Sequence, residues 1–142
     1  MNNYLNKSTL LITFLLFCHF AMAEEKSLYD KIGGQEKVEL ITKNLISIIY
    51  TDDRISFLFK ETDKEDLHIK IVNQICMETG GGCQYEGLSM EEAHSGFVIK
   101  NSEFDAFVED FILAMEQSKV SFRLQNKVLA IFAPMRESIT YK

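Results

Sequence analysis

The stretch YEGLSMEEAHSG, residues 85–96, instructs its own folding more fully than any other part of this 142-residue chain. Ser89 followed three residues later by Glu92 forms a capping box, in which a hydroxyl and a carboxylate each satisfy a backbone N–H at a helix start. A short helix is therefore predicted to carry Met90 and His94 and to stop early at Gly96, with Cys83 to Leu88 as the loop leading in. Met90 lies one turn before His94 and Val98 one turn after it, so the histidine's face reads as apolar. An imidazole on such a face needs partners for its polar atoms. Two arrangements supply them: a metal bond on one nitrogen with a backbone carbonyl accepting from the other, or a core histidine bonded to backbone alone.

The flanking segments read as a succession of helices punctuated by glycine. Gly33-Gly34 separates Leu28–Ile32 from a longer run with Val38, Ile41, Leu45, Ile48 and Ile49 at three- and four-residue steps. Its β-branched residues also suit a strand, but its length and spacing favour helix. Ile55, Leu58 and Phe59 form an apolar turn before Thr62-Asp63, a helix cap. Leu67, Ile71 and Ile75 then share one face of a helix that ends at Gly80-Gly81-Gly82. Towards the C-terminus, one helix buries Phe104, Phe107, Val108, Phe111, Ile112 and Met115, and another carries Val128, Leu129, Phe132, Met135 and Ile139. Pro134 lacks a backbone donor and should kink that last helix. The fold class expected is all-α.

Residues 1–23 read as a cleaved signal peptide: a short polar start carrying Lys7, an apolar core from Thr9 to Phe20, and Ala21-Met22-Ala23 as the cleavage signal before Glu24. A retained N-terminal anchor is the alternative. Cleavage leaves residues 24–142 as one exported domain, periplasmic or secreted, with no stable membrane span. Losing Lys7 takes the 15 basic residues to 14 against 21 acidic ones, and the net charge from −6 to −7. That balance, without a basic stripe, excludes nucleic acid as a partner. Cys76 and Cys83 remain, and an oxidising compartment permits a disulfide between them; a dithiol catalyst would show C-x-x-C instead. His68 lies one step off the Leu67–Ile71–Ile75 stripe and reads as a solvent-edge residue. It and His94 lack the H-E-x-x-H spacing of a zinc site.

In order and spacing the chain resembles the group I truncated haemoglobins. The resemblance runs through Leu28-Tyr29-Asp30-Lys31-Ile32-Gly33-Gly34, Thr51-Asp52-Asp53-Arg54-Ile55 to Phe59, and Thr79-Gly80-Gly81. It continues through Tyr85-x-Gly87-x-x-Met90-x-x-Ala93-His94-x-Gly96 to Phe104-Asp105, and ends at Ala133-Pro134-Met135-Arg136. It implies a two-over-two helical sandwich around haem b (iron protoporphyrin IX), with His94 as the iron ligand. Phe59 would pack on the porphyrin and Lys70 would reach a propionate, while Tyr85, Met90, Ile99 and Phe104 match further positions lining or edging the haem. On the ligand side the chain departs from the family pattern. Ile46 stands where many members place a tyrosine and Ile71 where a glutamine often assists it, with Leu67 as a third apolar group. That pocket offers no hydrogen-bond donor to a bound gas, so weak oxygen retention and fast oxygen release are expected.

The function implied is reversible binding of a diatomic gas, oxygen, nitric oxide or carbon monoxide, by a monomer or weak dimer. Oxidation of nitric oxide is the chemistry that the resemblance makes plausible; turnover would need an electron donor, whose identity is unknown and which this sequence does not encode. An exported haem-based gas or redox sensor acting through a partner protein is the alternative, and a helical domain without haem is the third reading.

Overall fold

The computed structural model describes residues 25–141. The leader expected over residues 1–23 lies outside them, as does the boundary proposed before Glu24. Among the described residues the regular structure is helical, without strands, and no helix is long and apolar enough to cross a membrane.

The first helix, α1 (Leu28–Ile32), is capped by Ser27, whose hydroxyl accepts from the Asp30 N–H. Gly33, at φ 125°, turns the chain directly into α2 (Gly34–Ile49), a backbone angle that side chains resist. The stripe anticipated in α2 is the centre of the core: Val38, Ile41, Leu45 and Ile49 are each 2% exposed or less. Burying one such side chain stabilises the fold by about 1.5–3 kcal/mol. A 3₁₀ turn (Ser56–Phe59) follows, and Asp63 caps α3 (Lys64–Glu78) by accepting from the Asp66 N–H. Cys76, in the last turn of α3, is joined by a disulfide to Cys83 in the loop that follows, with their Cα atoms 5.7 Å apart, drawing the loop back against the helix end.

Next come α4 (Met90–His94), α5 (Asn101–Gln117) and α6 (Phe122–Phe132). At Ala133–Met135 the last helix breaks into a 3₁₀ turn around Pro134 before a final turn, α7 (Arg136–Ile139). The disturbance expected at Pro134 takes the form of this short 3₁₀ segment, with Phe132, Ala133, Met135 and Arg136 keeping right-handed helical angles. Helix α2 packs against both α3 and α5, and α5 packs against α6. Two helix pairs, α2 with α3 and α5 with α6, are stacked through the α2–α5 contact as a two-over-two sandwich. Short α4 packs against α7, and the Tyr141 N–H donates to the Ile99 carbonyl at 3.0 Å, so the end of the chain closes over the segment after α4.

Candidate functional site

An apolar cavity of about 420 Å³ lies among these helices, within the range that holds small-molecule cofactors. Its wall takes Leu67, Ile71, Gln74 and Ile75 from α3, residues spaced to share one helical face. Phe59 comes from the 3₁₀ turn, Met90 and His94 from α4, Phe104, Phe107, Val108 and Phe111 from α5, and Leu129 and Phe132 from α6. Aromatic rings pack against one another around it: Phe59 stacks near Phe107 with ring centres 6.5 Å apart, and Phe111 meets Phe132 edge-on at 5.9 Å. Such a wall suits a flat apolar group.

The capping box expected for α4 is present. The Ser89 hydroxyl accepts from the Glu92 N–H at 3.2 Å, and the Glu92 carboxylate accepts from the Ser89 N–H at 3.0 Å. Hydrogen bonds donated to its carboxylate, first by the Ser89 hydroxyl at 2.7 Å and then by the Ser89 N–H, hold the Glu92 carboxyl below its ordinary range. On this helix the His94 ring places Nδ1 2.7 Å from the Met90 carbonyl oxygen. A carbonyl only accepts, so Nδ1 carries the proton and Nε2 of the neutral ring holds the lone pair. The apolar face ascribed to His94 is only half as expected. Met90 is on the wall, whereas Val98 is 72% exposed, because Gly96 at φ 87° ends the helical spacing before it; Phe97 and Ile99 reach the wall instead.

All nine residues named from the sequence as cofactor contacts (Phe59, Leu67, Lys70, Ile71, Tyr85, Met90, His94, Ile99 and Phe104) line this one cavity. Ile46 does not. It is half-buried, and Leu45 one residue earlier faces the cavity in its place, since each helical step swings the side chain by about 100°. His68 is likewise absent from the wall. Lys70 sits at the rim in an ion pair with Asp66 on its own helix, Nζ to Oδ2 2.6 Å, which raises the pKa of the ammonium. Tyr85 folds over Gly87, where a Cβ would come within 2.4 Å of its ring.

Four polar wall residues had escaped the sequence reading, Thr62 and Asp66 beside the start of α3, and Gln74 and Arg136. Gln74 falls at the seventh residue after Leu67, in register with the stripe but polar; Arg136 stands at the end of the Ala-Pro-Met-Arg motif, where it pairs with Asp105 and lies 4.4 Å from the Phe104 ring centre. Helical spacing alone could have flagged Gln74. Nothing local to Arg136 announces a cavity.

The donor set limits what can be held. Among the described residues no group of three or more His, Cys, Asp or Glu is placed to chelate a metal ion. A lone imidazole with Nδ1 already committed suits a metal that brings its other ligands with it. Rim cations at Lys70 and Arg136 suit carboxylates on the same molecule. These residues fit the iron porphyrin that the sequence resemblance implies.

The bacterial-like globin family model matches residues 27–141. A group 1 truncated hemoglobin of Tetrahymena thermophila is 27% identical over 116 residues, covering 82% of this chain and 96% of the relative. Among solved structures, the truncated hemoglobin of Tetrahymena pyriformis in its Fe(III) form superposes with a TM-score of 0.80 at 25% identity, covering 82% of this chain and 100% of that one. The 2/2 hemoglobin of a Synechococcus species, with covalently attached heme, gives a TM-score of 0.76 at 27% identity, covering 80% and 98%.

Proposed function

This chain belongs to the bacterial-like globin family, and we propose that it is an exported haem b protein that reversibly binds a diatomic gas, with His94 as the iron ligand. One observation carries the reading: His94 stands on the wall of an apolar, aromatic-lined cavity with Nδ1 already donating to the Met90 carbonyl at 2.7 Å, leaving the Nε2 lone pair for a metal. Bound there, haem b supplies an iron able to coordinate oxygen, carbon monoxide or nitric oxide.

The chain's own residues do the rest. Phe59 and Phe107 offer aromatic packing to the macrocycle, and Lys70 and Arg136 offer charge-assisted hydrogen bonds to its carboxylates. Leu45, Leu67 and Ile71 exclude water from their part of the cavity but present only hydrocarbon to a gas. Discrimination in favour of oxygen through a hydrogen bond is therefore weak, and release is fast. Oxidation of nitric oxide belongs to this reading only if an electron donor outside the chain sustains it. Export is supported by the leader pattern and by the Cys76–Cys83 disulfide, a bond that oxidising compartments preserve.

Titrating the mature chain with hemin tests the core of the reading. The wild type should take up one equivalent with a sharp Soret band, and His94→Ala should lose it. In stopped flow the ferrous protein should release oxygen faster than relatives that carry a pocket tyrosine. No stoichiometric uptake overturns the haem assignment; slow oxygen release overturns the apolar pocket alone.

A further inference from the structure

We propose that Gln74 is a positioning residue for His94, acting through Met90. Among the described residues Gln74 is the single uncharged amide on the cavity wall, and it is half-buried on α3, in register with Leu67, Ile71 and Ile75. Its Nε2 donates to Met90 Sδ at 3.3 Å and to Met135 Sδ at 3.5 Å. Met90 is also the residue whose carbonyl accepts from His94 Nδ1 at 2.7 Å. One residue of α4 is thus held twice, its side chain from α3 and its carbonyl by the imidazole, and a single amide joins α3, α4 and the 3₁₀ turn at Ala133–Met135.

Packing alone does not call for an amide here. A leucine at position 74 would extend the apolar stripe and fill similar space, whereas an amide in an apolar wall is costly unless bonded. Thioether sulfur is a weak acceptor, so the contact adds direction more than stability. Direction matters for α4, because five residues form barely more than one helical turn, with little hydrogen-bond ladder to orient it. The partner of a ligating histidine's other nitrogen sets the ring's orientation and basicity. In this chain that partner is the Met90 carbonyl, and Gln74 steadies the residue that carries it.

The inference rests on His94 being the haem ligand, and the test keeps the two apart. The mature chain, Gln74→Leu, Met90→Leu and the double variant are each loaded with hemin. Three properties of the loaded proteins are read: the ferrous iron–imidazole stretch by resonance Raman, the ferric/ferrous midpoint potential, and the rate of hemin transfer to excess apomyoglobin. Thermal unfolding is followed in parallel. Gln74→Leu should weaken the Nδ1 hydrogen bond, lowering the stretching frequency, raising the potential and speeding hemin loss by about tenfold. Met90→Leu should move all three the same way, and the double variant no further than the larger single effect. Hemin uptake by the wild type with unchanged stretch and potential in Gln74→Leu, or strictly additive effects in the double variant, overturns this proposal alone. No uptake by the wild type overturns the haem reading and this proposal together.

Discussion

Thr42 lies on α2 with none of its surface exposed, and its hydroxyl finds no hydrogen-bond partner among the described residues. A buried unsatisfied hydroxyl costs about 1–3 kcal/mol, and Thr42→Val replaces it with a methyl of nearly the same shape. That variant should raise stability by about 1 kcal/mol, visible as a higher urea midpoint with an unchanged m-value; a lower midpoint would show that the hydroxyl is satisfied in solution. Residues of this kind mark the limit of what the sequence discloses. His94 was legible because capping residues, an apolar neighbour and the Met-x-x-Ala-His-x-Gly pattern all lie within a few positions of it. The neighbouring face of α2 was not, since Leu45 and Ile46 are equally apolar and only the packing of α3 and α5 decides which one meets the cavity. Gln74 was harder still, its sulfur partners lying 16 and 61 residues further along.

Where an element is defined by its own residues, the sequence was a good guide. Ser89 and Glu92 cap α4, Asp63 caps α3, and the glycines after Glu78 end α3 through Thr79, whose N–H and hydroxyl both donate to the Ile75 carbonyl. Where an element's course depends on a break, the guide was less complete: Val98 was placed by helical spacing on a helix that Gly96 had already ended, and the disturbance foreseen at Pro134 is present but takes the form of a 3₁₀ segment. Helix α4 depends on its cap more than the longer helices do, since it buries no residue fully and spans only five. Ser89→Ala should cost about 1 kcal/mol, concentrated locally. Hydrogen exchange should accelerate across Glu91–His94, hemin should leave faster, and the thermal unfolding midpoint should fall by about 3–6 °C. A variant with normal exchange in α4 would show that the disulfide and the contact with α7 position the helix without its cap.

The molecule as a whole is held by the crossing of its two helix pairs, and one edge of that crossing is charged. Asp110 on α5 is 4% exposed and lies beside Asp52 and Arg54, which follow α2; Arg54 Nη2 stands 2.7 Å from Asp52 Oδ2 and 3.8 Å from Asp110 Oδ1, and Nη1 reaches Glu109. Burial, then the neighbouring Asp52 carboxylate, pushes the Asp110 carboxyl up to about 6, against the pull of Arg54. Hydrogen bonds from Arg54 hold Asp52 below its ordinary range. The two carboxyls therefore act in separate pH windows. Between the ordinary aspartate value near 3.8 and about 6, the folded state binds more protons at Asp110 than the unfolded chain does, so stability falls as pH rises through that window. Asp52 contributes stability that is present above its ordinary value and is lost only as pH drops below about 4. Thermal unfolding of the wild type should thus show a midpoint that climbs as pH is lowered from 7 to 5 and falls again below 4. Asp110→Asn keeps the shape of the side chain and removes its charge. It should flatten the change between pH 5 and 7 and stabilise the protein at pH 7 by on the order of 2 kcal/mol, while leaving the fall below pH 4 in place. Should Asp110→Asn instead destabilise at pH 7, the carboxylate's attraction to Arg54 outweighs its burial, and the charge at this crossing binds the helix pairs together.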